Sequence, residues 1–155
     1  MSSVILPGSY DPVTVGHLEI IRKASKLYDD VYAVVFINPE KVYTFSVEER
    51  VKMLILATEE LDNVTVSCSS GYVVDYMREH GIEKIVKGYR NECDLEYEKK
   101  QAEYNFKLGG YETELWQADP AIRNISSTMA RELIKSGGEL TGILPPKVIS
   151  YINNY

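Results

Sequence analysis

Apolar runs and stretches with helical periodicity alternate along this chain. Residues 30–38 are nearly all apolar and rich in valine, which is typical of a strand buried on both faces of a parallel sheet. Between Leu18 and Tyr28 the apolar side chains instead recur at helical spacing, which predicts an amphipathic helix. The predicted strands are residues 4–6, 30–38, 64–68, 84–88 and 112–118, and the predicted helices are residues 18–28, 46–61, 73–81, 94–110, 126–138 and 145–152.

Local signals predict where several of these elements begin and end. Ser46 and Glu49 have the spacing of a capping box, so a helix should begin there. Gly81 is placed to end a helix in the left-handed conformation. Pro146 suits the first turn of the final helix, because an N–H at that position would have no partner within the helix.

This order of elements predicts an α/β fold. Strands that alternate with helices form a parallel sheet with right-handed crossovers and helices on both faces. We therefore expect a single Rossmann-like, doubly wound domain over residues 1–155, with a five-stranded parallel sheet and one hydrophobic core. In such sheets ligands bind at the carboxyl ends of the strands, where the strand order reverses. The loops after the strands are therefore where functional residues are expected.

Composition narrows the classes of partner and the location. The net charge is −6 with 45% apolar residues, so we expect neither nucleic acid nor an anionic membrane as a partner. No apolar run is long enough to span a membrane, and the first residues lack a secretory signal pattern, which favours a cytoplasmic location. Cys68 and Cys93 lack the spacing of a metal site and are expected to be inert thiols.

The first loop, PGSYDPVTVGH at residues 7–17, has the composition of a phosphate-binding turn. It leads directly into a helix, whose first N–H groups and positive dipole end attract anions. Gly8 would let the backbone approach a ligand, and Ser9 adds a hydroxyl donor. The loop lacks the Gly-Lys-Ser/Thr of a Walker A motif. An ordinary turn that places His17 near a helix start is the alternative.

Three further loops carry cations or hydroxyl groups. Lys41 follows the second strand, Lys87 and Arg90 flank Gly88 at the end of the fourth, and residues 126–128 open a helix with Ser-Ser-Thr. Each feature alone is what a solvated surface or a helix N-cap would show. Together they concentrate anion-binding groups at one edge of an acidic protein. The residues therefore predict a pocket for a phosphorylated ligand such as a nucleotide.

Four sequence motifs are similar to those of one enzyme family. PGSYDPVTVGH resembles the T/H-x-G-H signature of the nucleotidyltransferase superfamily, and FSVEERVKM, DLEYEKKQAEYN and ISSTMARELI follow it at the expected intervals. From about Val4 to the final helix the chain resembles the bacterial phosphopantetheine adenylyltransferases. This resemblance implies adenylyl transfer from ATP to 4′-phosphopantetheine, which yields dephospho-coenzyme A and pyrophosphate. It also implies Mg²⁺ held by the ATP phosphates rather than by protein side chains, and a homohexamer.

The resemblance further implies roles for individual residues. His17 would stabilise the transition state at the α-phosphate, with Lys41 and Arg90 as further catalytic groups. The residues implied to bind the acceptor substrate are Ser9, Lys41, Val73 and Lys87. The residues implied to bind ATP are Ser9, Tyr10, His17, Gly88, Tyr89, Arg90, Glu98, Ile122, Arg123, Asn124, Ile125, Ser126, Ser127 and Thr128.

Three positions depart from the family pattern. Lys87 stands where the family commonly has arginine, which offers a planar fork to phosphate rather than a point charge. DPAIRN at residues 119–124 replaces a segment that contains an aromatic residue, and NECD at residues 91–94 would place Glu92 near the pocket. These departures leave open a related nucleotidyltransferase that uses CTP or another phosphorylated acceptor, such as nicotinamide mononucleotide. A paralogue that binds nucleotide without turnover is the third alternative.

Overall fold

The chain forms a five-stranded parallel sheet with helices on both faces, which confirms the predicted doubly wound α/β architecture. The computed structural model describes residues 2–154. The strands are β1 (Ser3–Gly8), β2 (Asp30–Phe36), β3 (Val64–Ser69), β4 (Lys84–Tyr89) and β5 (Thr113–Gln117). The helices are α1 (Val15–Leu27), α2 (Val47–Thr58), α3 (Val73–His80), α4 (Glu92–Gly109), α5 (Ser127–Ser136) and α6 (Pro146–Asn153).

Side chains of the central strand β1 alternate between two hydrophobic clusters. Val4 and Leu6 belong to a cluster with side chains of α1, α2, α5 and α6. Ile5 belongs to the other cluster, which includes Tyr76 and Met77 of α3. This alternation follows the two-residue period of a strand, and it buries both faces of the sheet. The apolar runs in the sequence therefore correspond to strands that are covered on both sides.

The sequence signals at helix ends are confirmed. The Ser46 hydroxyl accepts a hydrogen bond from the Glu49 N–H at 3.1 Å, and the Glu49 carboxylate accepts one from the Ser46 N–H at 2.7 Å. Gly81 adopts φ of 66° directly after α3, where a side chain would be strained. Pro146 is the first residue of α6. None of the helices within residues 2–154 combines the length and apolar character needed to cross a membrane.

The sheet opens at one edge because β1 separates from β4. The strand order β3-β2-β1-β4-β5 reverses at β1, which pairs with β2 along its whole length but with β4 only at Val4 and Ile5. Pro7 has no N–H to donate to a neighbouring strand, and its carbonyl oxygen accepts a hydrogen bond from Lys87 Nζ at 3.2 Å. A side chain thus takes the place of ladder hydrogen bonds at the carboxyl ends of these strands.

Candidate active site

Two adjoining cavities lie at the carboxyl ends of β1 and β4. The first, of about 470 Å³, lies among the β1–α1 loop (residues 9–14), the start of α1 and the start of α5. The second, of about 870 Å³, lies among the β2–α2 loop (residues 37–46), the start of α3 and one face of α4. The side chains that line both cavities are Pro7, Gly8, Ser9, Lys41, Tyr43, Lys87, Tyr97 and Glu98.

Most of the residues singled out in the sequence line these cavities. Those that line the first cavity are Ser9, Tyr10, His17, Lys41, Lys87, Gly88, Tyr89, Arg90, Glu98, Ile125, Ser126, Ser127 and Thr128. Val73 lines the second cavity. Ile122, Arg123 and Asn124 line neither, because they form the turn before α5, and only Ile125 at its end lines the first cavity.

The expectation that Glu92 lies near the pocket is corrected. Glu92 is exposed and lines neither cavity. It begins α4, and a side chain two residues further on is rotated by about 200° around the helix. Asp94 is that residue, and it lines the first cavity. The carboxylate that this segment contributes to the site is therefore Asp94.

The buried side chain of Tyr10 supports the conformation of the β1–α1 loop. The Tyr10 backbone has φ of 48°, a left-handed conformation that is rare outside glycine and concentrates at functional sites. The buried ring packs against His17 with 5.0 Å between the ring centroids, and its hydroxyl donates to the Leu6 carbonyl at 2.8 Å. Burial raises the pKa of this hydroxyl, so it stays a donor. A Cβ on Gly8 would lie 3.2 Å from the Tyr10 ring, which is why glycine suits that position.

His17 is fixed in one tautomer by Thr14, the N-cap residue of α1. The backbone N–H of Thr14 donates to the ring atom Nδ1 of His17 at 3.0 Å. The Thr14 hydroxyl oxygen accepts from the backbone N–H of His17 at 3.4 Å. This is a capping box in which histidine takes the place of the usual glutamate. Because Nδ1 accepts a hydrogen bond, the proton of the neutral ring lies on Nε2.

The surroundings of His17 also keep the ring uncharged. Burial, together with the positive charges of Lys87 and Arg90, lowers its pKa to about 4. At neutral pH the imidazole is therefore a hydrogen-bond donor through Nε2 without being a cation. Such a group can stabilise negative charge that develops on a phosphate oxygen.

Two of the four cations that line the first cavity are paired with carboxylates. Lys87 Nζ lies 3.2 Å from Glu98 Oε2, and Arg90 Nε lies 2.9 Å from Asp94 Oδ2. Within residues 2–154, neither Lys41 nor Arg131 forms an ion pair. These two side chains therefore carry the uncompensated positive charge of the site.

The start of α5 brings hydroxyl groups and a guanidinium to the first cavity. Ser126 is the N-cap, and its hydroxyl accepts from the Met129 N–H at 3.1 Å. The Ser127 hydroxyl donates to the Pro12 carbonyl at 2.8 Å, which ties α5 to the β1–α1 loop. Arg131 donates to the Asp11 carbonyl at 2.9 Å and to the Thr128 hydroxyl at 3.1 Å. The first N–H groups of this helix and Arg131 together suit a polyphosphate.

Thr14 and Arg131 are among the residues of the site that were not singled out in the sequence. Thr14 is found three positions before His17, which is the capping-box spacing, but a histidine in the glutamate position hides the motif. Arg131 lies one turn inside α5, where an arginine is ordinary on a solvated face. Its contact with Asp11 joins residues 120 positions apart, which no local pattern shows.

The chain is similar to known proteins along almost its whole length. The family model described as cytidylyltransferase-like matches residues 5–133. The chain is 41% identical to the phosphopantetheine adenylyltransferase of Clostridium novyi (strain NT), over 99% of this chain and 96% of that protein. The proteins of the same name from Corynebacterium diphtheriae and Thermobifida fusca are 42% and 39% identical, over 98% and 96% of this chain and 96% and 90% of their own lengths. The chain therefore belongs to the phosphopantetheine adenylyltransferase family, within the cytidylyltransferase-like proteins.

Proposed function

We propose that this protein transfers the adenylyl group of ATP to 4′-phosphopantetheine, forming dephospho-coenzyme A and pyrophosphate in coenzyme A synthesis. The observation that carries the proposal is His17, a neutral imidazole fixed by Thr14 in a cavity that four cations line. The printed names of the relatives supply the choice of substrates.

Each cavity suits one substrate. The first cavity combines two helix starts with Arg90 and Arg131, which suits the phosphates of ATP. The second cavity is lined by apolar side chains such as Phe36, Ile37 and Val73, which suits an uncharged pantetheine arm. Lys41 and Lys87 line both cavities, so the acceptor phosphate would meet the α-phosphate of ATP beside them.

The chemical step needs no general base from the protein. An oxygen of the acceptor phosphate, already anionic, attacks the α-phosphorus of ATP and forms the new P–O bond. The bond from the α-phosphorus to the bridging oxygen breaks, and pyrophosphate leaves with that electron pair. The protein's contribution is to align the two phosphates and to stabilise the charge that gathers on the α-phosphate oxygens.

Different residues of the site would stabilise charge and hold the two phosphate groups. The Nε2–H of His17 donates to an α-phosphate oxygen, and this bond strengthens as negative charge builds up. Lys41 and Lys87 hold the acceptor phosphate, while Arg131 and the N–H groups at the start of α5 hold the leaving pyrophosphate. Because Thr14 and Tyr10 fix the imidazole beforehand, little reorganisation is left for the reaction step.

Magnesium is part of the proposal as an ion that arrives on the triphosphate. The carboxylates of the first cavity are occupied: Asp11 accepts two backbone N–H groups, and Asp94 and Glu98 pair with Arg90 and Lys87. The part of the chain that is described contains no group of three or more His, Cys, Asp or Glu side chains that could hold a metal ion. This donor set fits Mg²⁺ held by phosphate oxygens, where it would neutralise charge on the leaving group.

The proposal also covers the assembly and the location. It includes a homohexamer in the cytoplasm, and the net charge of −6 disfavours nucleic acid or an anionic membrane as a partner. Exposed apolar side chains near the end of α4 that line neither cavity, Phe106 and Leu108, suit contacts between subunits. Light scattering of the purified protein would test the hexamer directly.

The deciding experiment is turnover by the purified protein with ATP, Mg²⁺ and 4′-phosphopantetheine, with the product identified by mass. Dephospho-coenzyme A at about one per second or faster supports the proposal. The control replaces the acceptor by nicotinamide mononucleotide and, separately, ATP by CTP. Product with a substitute but not with the proposed pair would contradict the proposal, as would ATP binding without turnover of any acceptor.

A further inference from the structure

A buried arginine behind the two cavities has no ion-pair partner among residues 2–154. Arg50 lies in the first turn of α2 and is 2% exposed. It lines neither cavity. An arginine keeps its charge when buried, and a buried charge without a carboxylate costs free energy that an apolar side chain of similar size would avoid. The fold alone therefore gives little reason for an arginine at this position.

The contacts of Arg50 join the two loops that carry the phosphate-binding side chains. Its Nη1 donates to the Ser9 carbonyl in the β1–α1 loop at 3.0 Å. Its Nε donates to the Phe45 carbonyl in the β2–α2 loop at 3.2 Å. The guanidinium plane also stacks on Tyr43, with 3.8 Å from Cζ to the ring centroid. One rigid fork thus holds both loops at a fixed separation.

The hydrogen bond to the Ser9 carbonyl also sets the direction of a peptide group. In the trans peptide between Ser9 and Tyr10, the N–H of Tyr10 points away from the Ser9 carbonyl oxygen. Arg50 lines neither cavity, whereas Ser9 and Tyr10 line the first, which favours an orientation of the Tyr10 N–H toward that cavity. Without Arg50 this peptide could turn and present a carbonyl oxygen to the nucleotide phosphates.

On the other loop, Arg50 acts through Tyr43. The Tyr43 hydroxyl accepts the Asn38 N–H at 2.9 Å, and Lys41 Nζ lies 5.7 Å from the centroid of the Tyr43 ring. The Tyr43 ring therefore packs beside Lys41, the exposed lysine of the β2–α2 loop. Asp11 adds a second link between the loops, because its carboxylate accepts the Thr44 and Phe45 N–H groups, both at 2.9 Å.

We propose that Arg50 is a positioning residue that sets the separation between the nucleotide phosphates at Ser9 and Tyr10 and the acceptor phosphate at Lys41. This inference rests on the proposed function, since it assigns those two phosphates to the two loops. It predicts that loss of the guanidinium fork lowers turnover and weakens ATP binding, although Arg50 touches neither substrate.

The test compares Arg50→Met and Arg50→Lys with Arg78→Met, which removes an exposed arginine that lines neither cavity. Arg50→Met should lower kcat at least ~30-fold and weaken ATP binding ~10-fold. Arg50→Lys should have the melting temperature of the wild type, but its kcat should stay below about a tenth of the wild-type value because lysine lacks the planar fork. Arg78→Met should behave like the wild type. Should Arg50→Met fail to fold, Arg50→Lys carries the test.

One result overturns the inference, and another bears on the proposed function alone. A folded Arg50→Lys or Arg50→Met variant with wild-type kcat and ATP affinity but a lower melting temperature would assign Arg50 a structural role only. Wild-type protein without turnover of the proposed pair contradicts the proposed function instead. In that case ATP affinity, measured without any acceptor, still decides whether Arg50 positions the nucleotide side.

Discussion

The β1–α1 loop and the β2–α2 loop, which the proposal assigns to the two substrates, are built differently. In the first loop Tyr10, Asp11 and Thr14 are 5%, 4% and 2% exposed, and each holds a neighbouring group in place. In the second, Lys41 is exposed and the adjacent Val42 is 95% exposed. The contrast is between a buried loop that fixes the imidazole of His17 and a loop that presents its lysine to solvent.

This difference fits what each substrate requires. The α-phosphate must be held within a few tenths of an ångström of the stabilising donor, so His17 is fixed by a capping box and a packed ring. The acceptor enters with a long arm, and its phosphate would meet Lys41, an exposed side chain beside the Tyr43 ring that Arg50 holds. Substitutions in the first loop should therefore change kcat, whereas those on the acceptor side should change KM.

The largest expected effect is from His17→Ala. The change removes the Nε2 donor, so kcat should fall at least ~100-fold while the dissociation constant of ATP changes much less. His80→Ala is the matched control, because His80 is the other histidine and lines neither cavity. Steady-state kinetics and equilibrium ATP binding measure the two quantities. Near-wild-type turnover in His17→Ala would remove the imidazole from the mechanism.

Thr14→Val tests whether the cap orients the imidazole. The substitution keeps the Thr14 N–H that donates to Nδ1 but removes the hydroxyl, which accepts the backbone N–H of His17 and lies 3.1 Å from Nδ1. Because the imidazole is then held less firmly, kcat should fall about tenfold and the free energy of unfolding by about 1 kcal/mol. Thr58→Val loses a comparable hydroxyl hydrogen bond, to the Leu54 carbonyl in α2, and should lose similar stability with unchanged kcat. Equal kcat in both variants would mean that the cap serves stability alone.

Lys87→Arg tests how the acceptor phosphate is bound. A guanidinium can bind a phosphate through two donors, so KM for 4′-phosphopantetheine should fall by about fivefold, with little change in kcat. The control is Lys84→Arg, at the other end of β4, where the lysine pairs with Glu114. Weaker binding in Lys87→Arg would show that the ion pair with Glu98 leaves room only for a lysine.

Much of the fold could be predicted from the sequence because its signals are local. Valine-rich runs such as residues 30–38 identify strands, and Ser46, Gly81 and Pro146 mark helix ends within a few residues of themselves. Ends governed by the site were missed. β1 runs on to Gly8, and α1 begins at Val15, because the β1–α1 loop is shaped by the ring of Tyr10 and the cap at Thr14.

Many residues that line the cavities could be predicted from the sequence, but their pairings could not. The loops after the strands identified Ser9, His17, Lys41, Lys87 and Arg90, since parallel strands bring those loops to one edge. The sequence does not show which lysine and arginine side chains of the site form ion pairs with carboxylates. The pairing of Lys87 with Glu98 and the contacts of Arg50 and Arg131 join residues far apart in the chain, and they depend on how helices pack on the sheet.

The pKa of His17 also predicts how stability depends on pH. An unfolded histidine gains its proton near pH 6.5, whereas His17 in the folded protein does so near pH 4. The folded-state pKa is the lower one, so His17 contributes stability that is fully present above pH 6.5 and is lost as the pH falls toward 4. The same reasoning predicts no loss of kcat from this group between pH 8 and about pH 5.5.

The most direct test of the account is a titration of the two histidine side chains by ¹⁵N NMR, with His80→Gln used to assign the signals. We expect His17 to be neutral at pH 7, to carry its proton on Nε2, and to titrate near pH 4. A midpoint near 6.5, or a proton on Nδ1 at neutral pH, would contradict the role of His17 as a fixed, uncharged donor to the α-phosphate.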